Sequence, residues 1–89
     1  MPKVRVRIAD EFLYGLAGIF SERVLDQIRK NVGLLADFPE LGSTNVRASL
    51  VERYGSNIRK IAISTFVLVY RYENDVVDVL ALVYGPSIR

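Results

Sequence analysis

The sequence predicts an α+β fold: an N-terminal strand, an αα-hairpin, then an antiparallel three-stranded meander, with the helices packed on one face of the sheet. Three observations carry this reading. Basic and apolar residues alternate at the start of the chain, the period of a strand. Apolar residues then recur at helical spacing between Phe12 and Leu35. From Ile58 onward β-branched and aromatic residues dominate, cut twice by short polar turns. With 89 residues, 51 % of them hydrophobic and 25 % charged, the chain has material for one core and is far from a disordered composition. We read residues 1–89 as a single domain.

Taken in order, Lys3 to Ile8 place Val4, Val6 and Ile8 on one side and Lys3, Arg5 and Arg7 on the other, a strand with one wet face. Asp10 and Glu11 suit a helix start through capping and dipole, and Phe12, Leu16, Ile19 and Phe20 supply its apolar face. Ser21 can cap a second helix striped by Leu25, Ile28, Val32 and Leu35, with Asp26 and Lys30 as an exposed i,i+4 pair. That helix stops near Asp37, because Pro39 disfavours α geometry at Phe38, and Phe38 is placed to plug the seam between helix and sheet. Strands follow at Ile58–Ile63, Phe66–Tyr72 and Val76–Tyr84, joined by the two-residue turns Ser64-Thr65 and Asn74-Asp75.

If both turns hold, strict alternation sets the faces. Ile61, Ile63, Phe66, Leu68, Tyr70, Tyr72, Val77, Val79, Ala81 and Val83 share the face that takes the helices. The second face carries Lys60, Val67, Val69, Arg71, Asp78, Leu80, Leu82 and Tyr84, apolar in its middle, with Arg71 facing Asp78 across the strands. An open face of that kind marks a partner. The alternative is that residues 44–57 fold back over it, with Val46, Leu50, Val51 and Tyr54 supplying the apolar side.

Charge and composition exclude several chemistries. There is no cysteine and no histidine, so disulfide frameworks, thiolate metal sites and the usual neutral-pH base are absent. No Gly-rich phosphate loop or nucleophile elbow occurs, and neither a metal nor a cofactor is expected. No apolar run reaches the roughly 18 residues of a membrane span, and the N-terminus alternates where a signal peptide would be apolar, so the expectation is a cytoplasmic protein without membrane contact. The net charge is +2, and most of the twelve basic residues are arginine.

Three stretches, in order, resemble the RelE/ParE superfamily of type II toxin–antitoxin toxins over nearly the whole chain. Leu34-Leu35-Ala36-Asp37-Phe38-Pro39-Glu40-Leu41-Gly42 is similar to the family's L-x-x-F-P-x-L-G. Ile58-Arg59-Lys60-Ile61-Ala62-Ile63 followed by Phe66-Val67-Leu68-Val69-Tyr70-Arg71 resembles its hairpin R-x-L-x-V-x-x-Y-x-I-x-Y-R. Asp75 to Gly85 is similar to the final strand, with Tyr84 where a histidine often stands. The resemblance implies a growth-inhibiting toxin, of the kind that stabilises plasmids, neutralised by a co-expressed antitoxin.

Two branches follow from the resemblance. RelE-like members are ribosome-dependent mRNA endonucleases that use basic residues on the open sheet face and near the C-terminus; ParE-like members lack that set and inhibit DNA gyrase. Here one basic position falls on Val67, leaving Lys60, Arg71, Tyr84 and Arg89 as the candidate catalytic set. That depletion favours the ParE-like branch over the ribonuclease, with an inert binding module that retains the fold as a further alternative. Val67, Val69, Leu80 and Leu82 are the expected antitoxin-binding residues, met by an amphipathic helix or by a strand added at a sheet edge. Without the antitoxin the same face would favour a homodimer.

Overall fold

A computed structural model describes residues 4–88. Strand β1 (Arg5–Ile8) leads into helices α1 (Asp10–Ala17) and α2 (Glu22–Leu34); a short helix α3 (Ala48–Tyr54) precedes β2 (Ile58–Ile63), β3 (Phe66–Glu73) and β4 (Val76–Tyr84). The sheet order is β1-β4-β3-β2, antiparallel through the meander and parallel where β1 joins β4. The α+β class and the order of strand, helix pair and meander are those the sequence predicts. Lys3, the expected start of the first strand, lies outside the described residues.

Local chemistry accounts for the elements. Asn74 and Asp75 both have positive φ, 54° and 59°, the backbone of a type I′ hairpin, and Ser64 alone is positive in the other turn, at 57°. Ser21 caps α2 as expected, its hydroxyl accepting from the Val24 N–H at 3.3 Å. Helix α1 differs: its cap is Ala9, without a side-chain bond, and Asp10 lies inside the first turn, where it favours the helix dipole only. Asp26 pairs with Arg29, at 3.1 Å, one residue short of the expected Lys30.

The main core lies between the helix pair and the first sheet face, where Phe12, Ile28, Leu35, Leu68, Tyr70, Val77 and Val79 are buried. Two aromatic expectations fail. Phe20 is 91 % exposed at the tip of the helix pair and Phe38 is 59 % exposed. The L-x-x-F-P-x-L-G segment is instead held by Tyr70. Its buried hydroxyl donates to the Pro39 carbonyl at 2.8 Å and accepts from the Gly42 N–H at 2.7 Å. Gly42 sits so close that a Cβ would lie 2.8 Å from the Lys60 carbonyl oxygen and 2.9 Å from the Tyr70 hydroxyl. Only glycine fits this approach. Arg59 adds hydrogen bonds to the Glu40 and Gly42 carbonyls, at 3.3 and 2.9 Å.

The expected alternation breaks inside β4. Val69 pairs with Ala81 but Tyr70 pairs with Val79, so Leu80 is the extra residue of a β-bulge. Beyond it the faces exchange. Leu82 turns toward the helices, against Gly15, while Val83 joins the second face and Tyr84 leaves it. This corrects the expected placement of Ala81, Leu82, Val83 and Tyr84. The second face is not open either. Leu50 of α3 packs on Ile58 and Val69, with Val46, Tyr54 and Ile88 beside it, and Val69 is 0 % exposed. The fold-back alternative describes the chain, except that Val51 points outward.

Candidate functional site

The polar residues singled out by the sequence are dispersed by the fold. Lys60 lies on β2 opposite Val69, and its backbone exchanges two 2.9 Å hydrogen bonds with Ser43, so the outer edge of β2 is occupied there. Arg71 lies two residues further along the same face, opposite Ile58 on one side and Asp78 on the other. Its guanidinium donates to the Tyr54 carbonyl at the end of α3. Tyr84 pairs with Phe66 on the opposite face, their rings meeting edge-on with centroids 5.9 Å apart. Arg89 lies outside the described residues. Lys60 and Arg71 therefore share a face; Tyr84 does not join them.

Arg71 faces Asp78 across the strands as expected, and a second arginine makes the direct contact. Arg7 of β1 grips Asp78 with Nε at 2.6 Å and a terminal nitrogen at 3.0 Å, a two-pronged contact that one carboxylate and one guanidinium fit well. The hydrogen bond from Arg7 holds the Asp78 carboxyl below the usual carboxylate range, and the same bond raises Arg7. Asp78 thus ties the N-terminal strand to the centre of the sheet, flanked by Arg7 and Arg71.

A second polar cluster was not foreseen. Glu11, in the first turn of α1, accepts from Arg53 at 3.3 Å and from the Tyr54 hydroxyl, both on α3. Partial burial, then the bond to Glu11, pushes the Tyr54 phenol up to about 12. Nothing in the sequence links residues so far apart, and α3 has no side-chain cap at its start, only Gly55 at its end.

Two of the open surfaces adjoin one another. A groove of about 260 Å³ runs between Ile8, α1 and α2, floored by Phe12, Leu13, Leu25 and Val32 with Arg29 at its rim. Beside it lies the outer edge of β1. The Arg5 and Ala9 amides donate inward, to Asp75 at 3.3 Å and Val79 at 2.9 Å, so the alternate amides of Val6 and Ile8 point away from the sheet. Among the described residues no group of histidine, cysteine or carboxylate ligands could hold a metal ion, and no helix is long and apolar enough to cross a membrane.

A protein-family model described as ParE toxin of type II toxin-antitoxin system, parDE, matches residues 6–85. The chain belongs to this family. It is therefore a type II toxin–antitoxin toxin, and the family implies an antitoxin partner. No curated protein matches the chain. The matched region of this ParE-family toxin runs from β1 to the residue after β4, so it includes the Tyr70 clasp, the bulge and the Arg7–Asp78 tie.

Proposed function

We propose that this ParE-family toxin arrests growth by binding DNA gyrase, and that it is not an mRNA endonuclease. The observation that carries the reading is the dispersal of its polar groups. Cleavage of RNA through the 2′-hydroxyl needs a base, cations at the developing phosphorane and an acid, all within reach of one phosphate. Among the described candidates Lys60 shares its face with Arg71, Arg71 is committed to α3, and Tyr84 faces the other way. Inhibition by binding needs no such convergence.

The antitoxin reading rests on the edge of β1. An extended antitoxin segment adds there as a further strand, its amides and carbonyls meeting Val6 and Ile8. Side chains on one side of that segment reach the apolar groove, and those on the other side meet Arg5 and Arg7, which favours an acidic and apolar alternation. Two copies of this chain pairing antiparallel about Val6 would set Arg5 opposite Arg7, a like-charge contact. The edge thus suits an acidic partner better than a homodimer.

Purified toxin is to be added to gyrase in supercoiling and cleavage assays, and in parallel to a cell-free translation reaction read by primer extension. Trapped gyrase–DNA cleavage complexes with intact messenger RNA are the expected result. Codon-aligned cuts in ribosome-bound mRNA with unaffected gyrase would overturn it, and no effect in either assay together with normal growth on expression would make the chain an inert module.

A further inference from the structure

Residues 44–56 form a loop of a particular kind. Both ends are pinned close together on one strand: Ser43 is bridged to Lys60, and Asn57 immediately precedes Ile58, with its side chain bonded to Glu73 at 3.0 Å and its carbonyl accepting from the Tyr72 N–H at 3.3 Å. Between these pins the chain leaves the sheet, makes the seven-residue α3 and returns. Compact loops with adjacent ends can lift without disturbing the elements that anchor them.

The loop is also weakly built. Only Leu50 of α3 is buried, neither helix end has a side-chain cap, and an isolated helix of this length is not self-supporting. Its return passes through Gly55 at φ 90° and Asn57 at φ 63°, a turn that ends where Asn57 is pinned to β3. Yet it covers a finished apolar surface, Ile58 and Val69 with Val67, Leu80 and Val83 around them. Leu50, Val46 and Tyr54 seat it on that surface, and polar contacts from other elements fasten its far end: Glu11 of α1 binds Arg53 and Tyr54, and Arg71 of β3 binds the Tyr54 carbonyl.

We propose that residues 44–56 are a hinged cover over the second sheet face, opening as a unit while the sheet stays folded, with Glu11 as its latch. Opening bares Val69 and the apolar row around it, with Lys60 and Arg71 at the margin; closing restores the form described above. The cover is independent of which macromolecule the toxin inhibits.

The chain has no cysteine, so single thiols report opening without background. Val69→Cys lies under the cover and Val79→Cys in the opposite core; both positions are fully buried. Under native conditions the Val69→Cys thiol is expected to react with a thiol reagent about tenfold faster or more than Val79→Cys, because it needs only local opening. Adding Glu11→Gln should speed Val69→Cys further and leave Val79→Cys unchanged. Amide exchange of the unaltered chain provides the second measurement: Val51 and Gly55 should exchange well before Tyr70. Equal thiol rates, or common exchange of all three amides, would mean that the cover moves only on global unfolding and would overturn the proposal. An unchanged ratio with Glu11→Gln would remove Glu11 as the latch.

Discussion

Replacing Tyr70 by Phe tests what the family-like Phe-Pro-x-Leu-Gly segment is for. The ring, fully buried, stays in place; only the hydroxyl is lost. That hydroxyl satisfies the Pro39 carbonyl at 2.8 Å and the Gly42 N–H at 2.7 Å. A buried backbone group left unpaired costs about 1–3 kcal/mol. The Gly42 amide is buried and the Pro39 carbonyl only partly so, which puts the expected loss at about 2–4 kcal/mol. A domain of this size has a total stability of about 5–13 kcal/mol, so the variant should fold but with a third or so of its margin gone. In urea, with a slope of about 1.5 kcal/mol per M, the midpoint should fall by about 2 M, read from helix ellipticity. A shift below about 0.5 M would show that water reaches both groups, and that the 39–42 turn is held by Arg59 and apolar contact instead.

Two apolar residues that precede that turn should behave differently from one another. Leu35→Ala, at a fully buried position, is expected to cost about 2–5 kcal/mol in the same urea assay, while Phe38→Ala, mostly in water, should change stability by about 0.5 kcal/mol or less. Alkali offers a further check. Because the folded Tyr54 phenol stands near 12, above its ordinary value of 10.0, its contribution is fully present below pH 10 and is lost as the pH rises from about 10 to about 12. Stability should decline across that window, and the decline should shrink in Tyr54→Phe; equal slopes in the two chains would contradict the assignment.

The hairpins were legible because turn chemistry is local: Asn74-Asp75 and Ser64-Thr65 specify their own backbone, and the strands between them follow. The α2 stripe and its Ser21 cap were legible for the same reason. The bulge was not. Val77, Val79, Ala81 and Val83 continue a perfect alternation, and both faces of β4 are apolar, so no side chain marks the slip at Leu80. The reason it occurs is tertiary: α1 presses Gly15 against the backbone and Cβ of Leu82, which requires Leu82 to face that helix. Phe38 misled because large apolar residues inside a motif invite burial, whereas the motif is held through its backbone. Of the candidate site, the shared face of Lys60 and Arg71 could be read from alternation alone. The engagement of Arg71 by α3, and of Asp78 by Arg7, depended on contacts between segments with no common sequence signal.

The order of strands in the sheet has a consequence for how the toxin comes into being. β4, the last strand along the chain, lies between β1 and β3, so the first strand has no neighbour until the last is made. During synthesis the ribosome releases β1 and both helices while their apolar sides have no sheet to rest on, and β2 with β3 alone form a hairpin of marginal stability. Closing β1 onto β4 then spans almost the whole chain, a long loop with a slow search. The nascent toxin therefore passes through a period in which its Val6 and Ile8 edge and its helix faces are exposed but its final shape is absent. A partner already present in the cell can meet those surfaces before the toxin fold is complete.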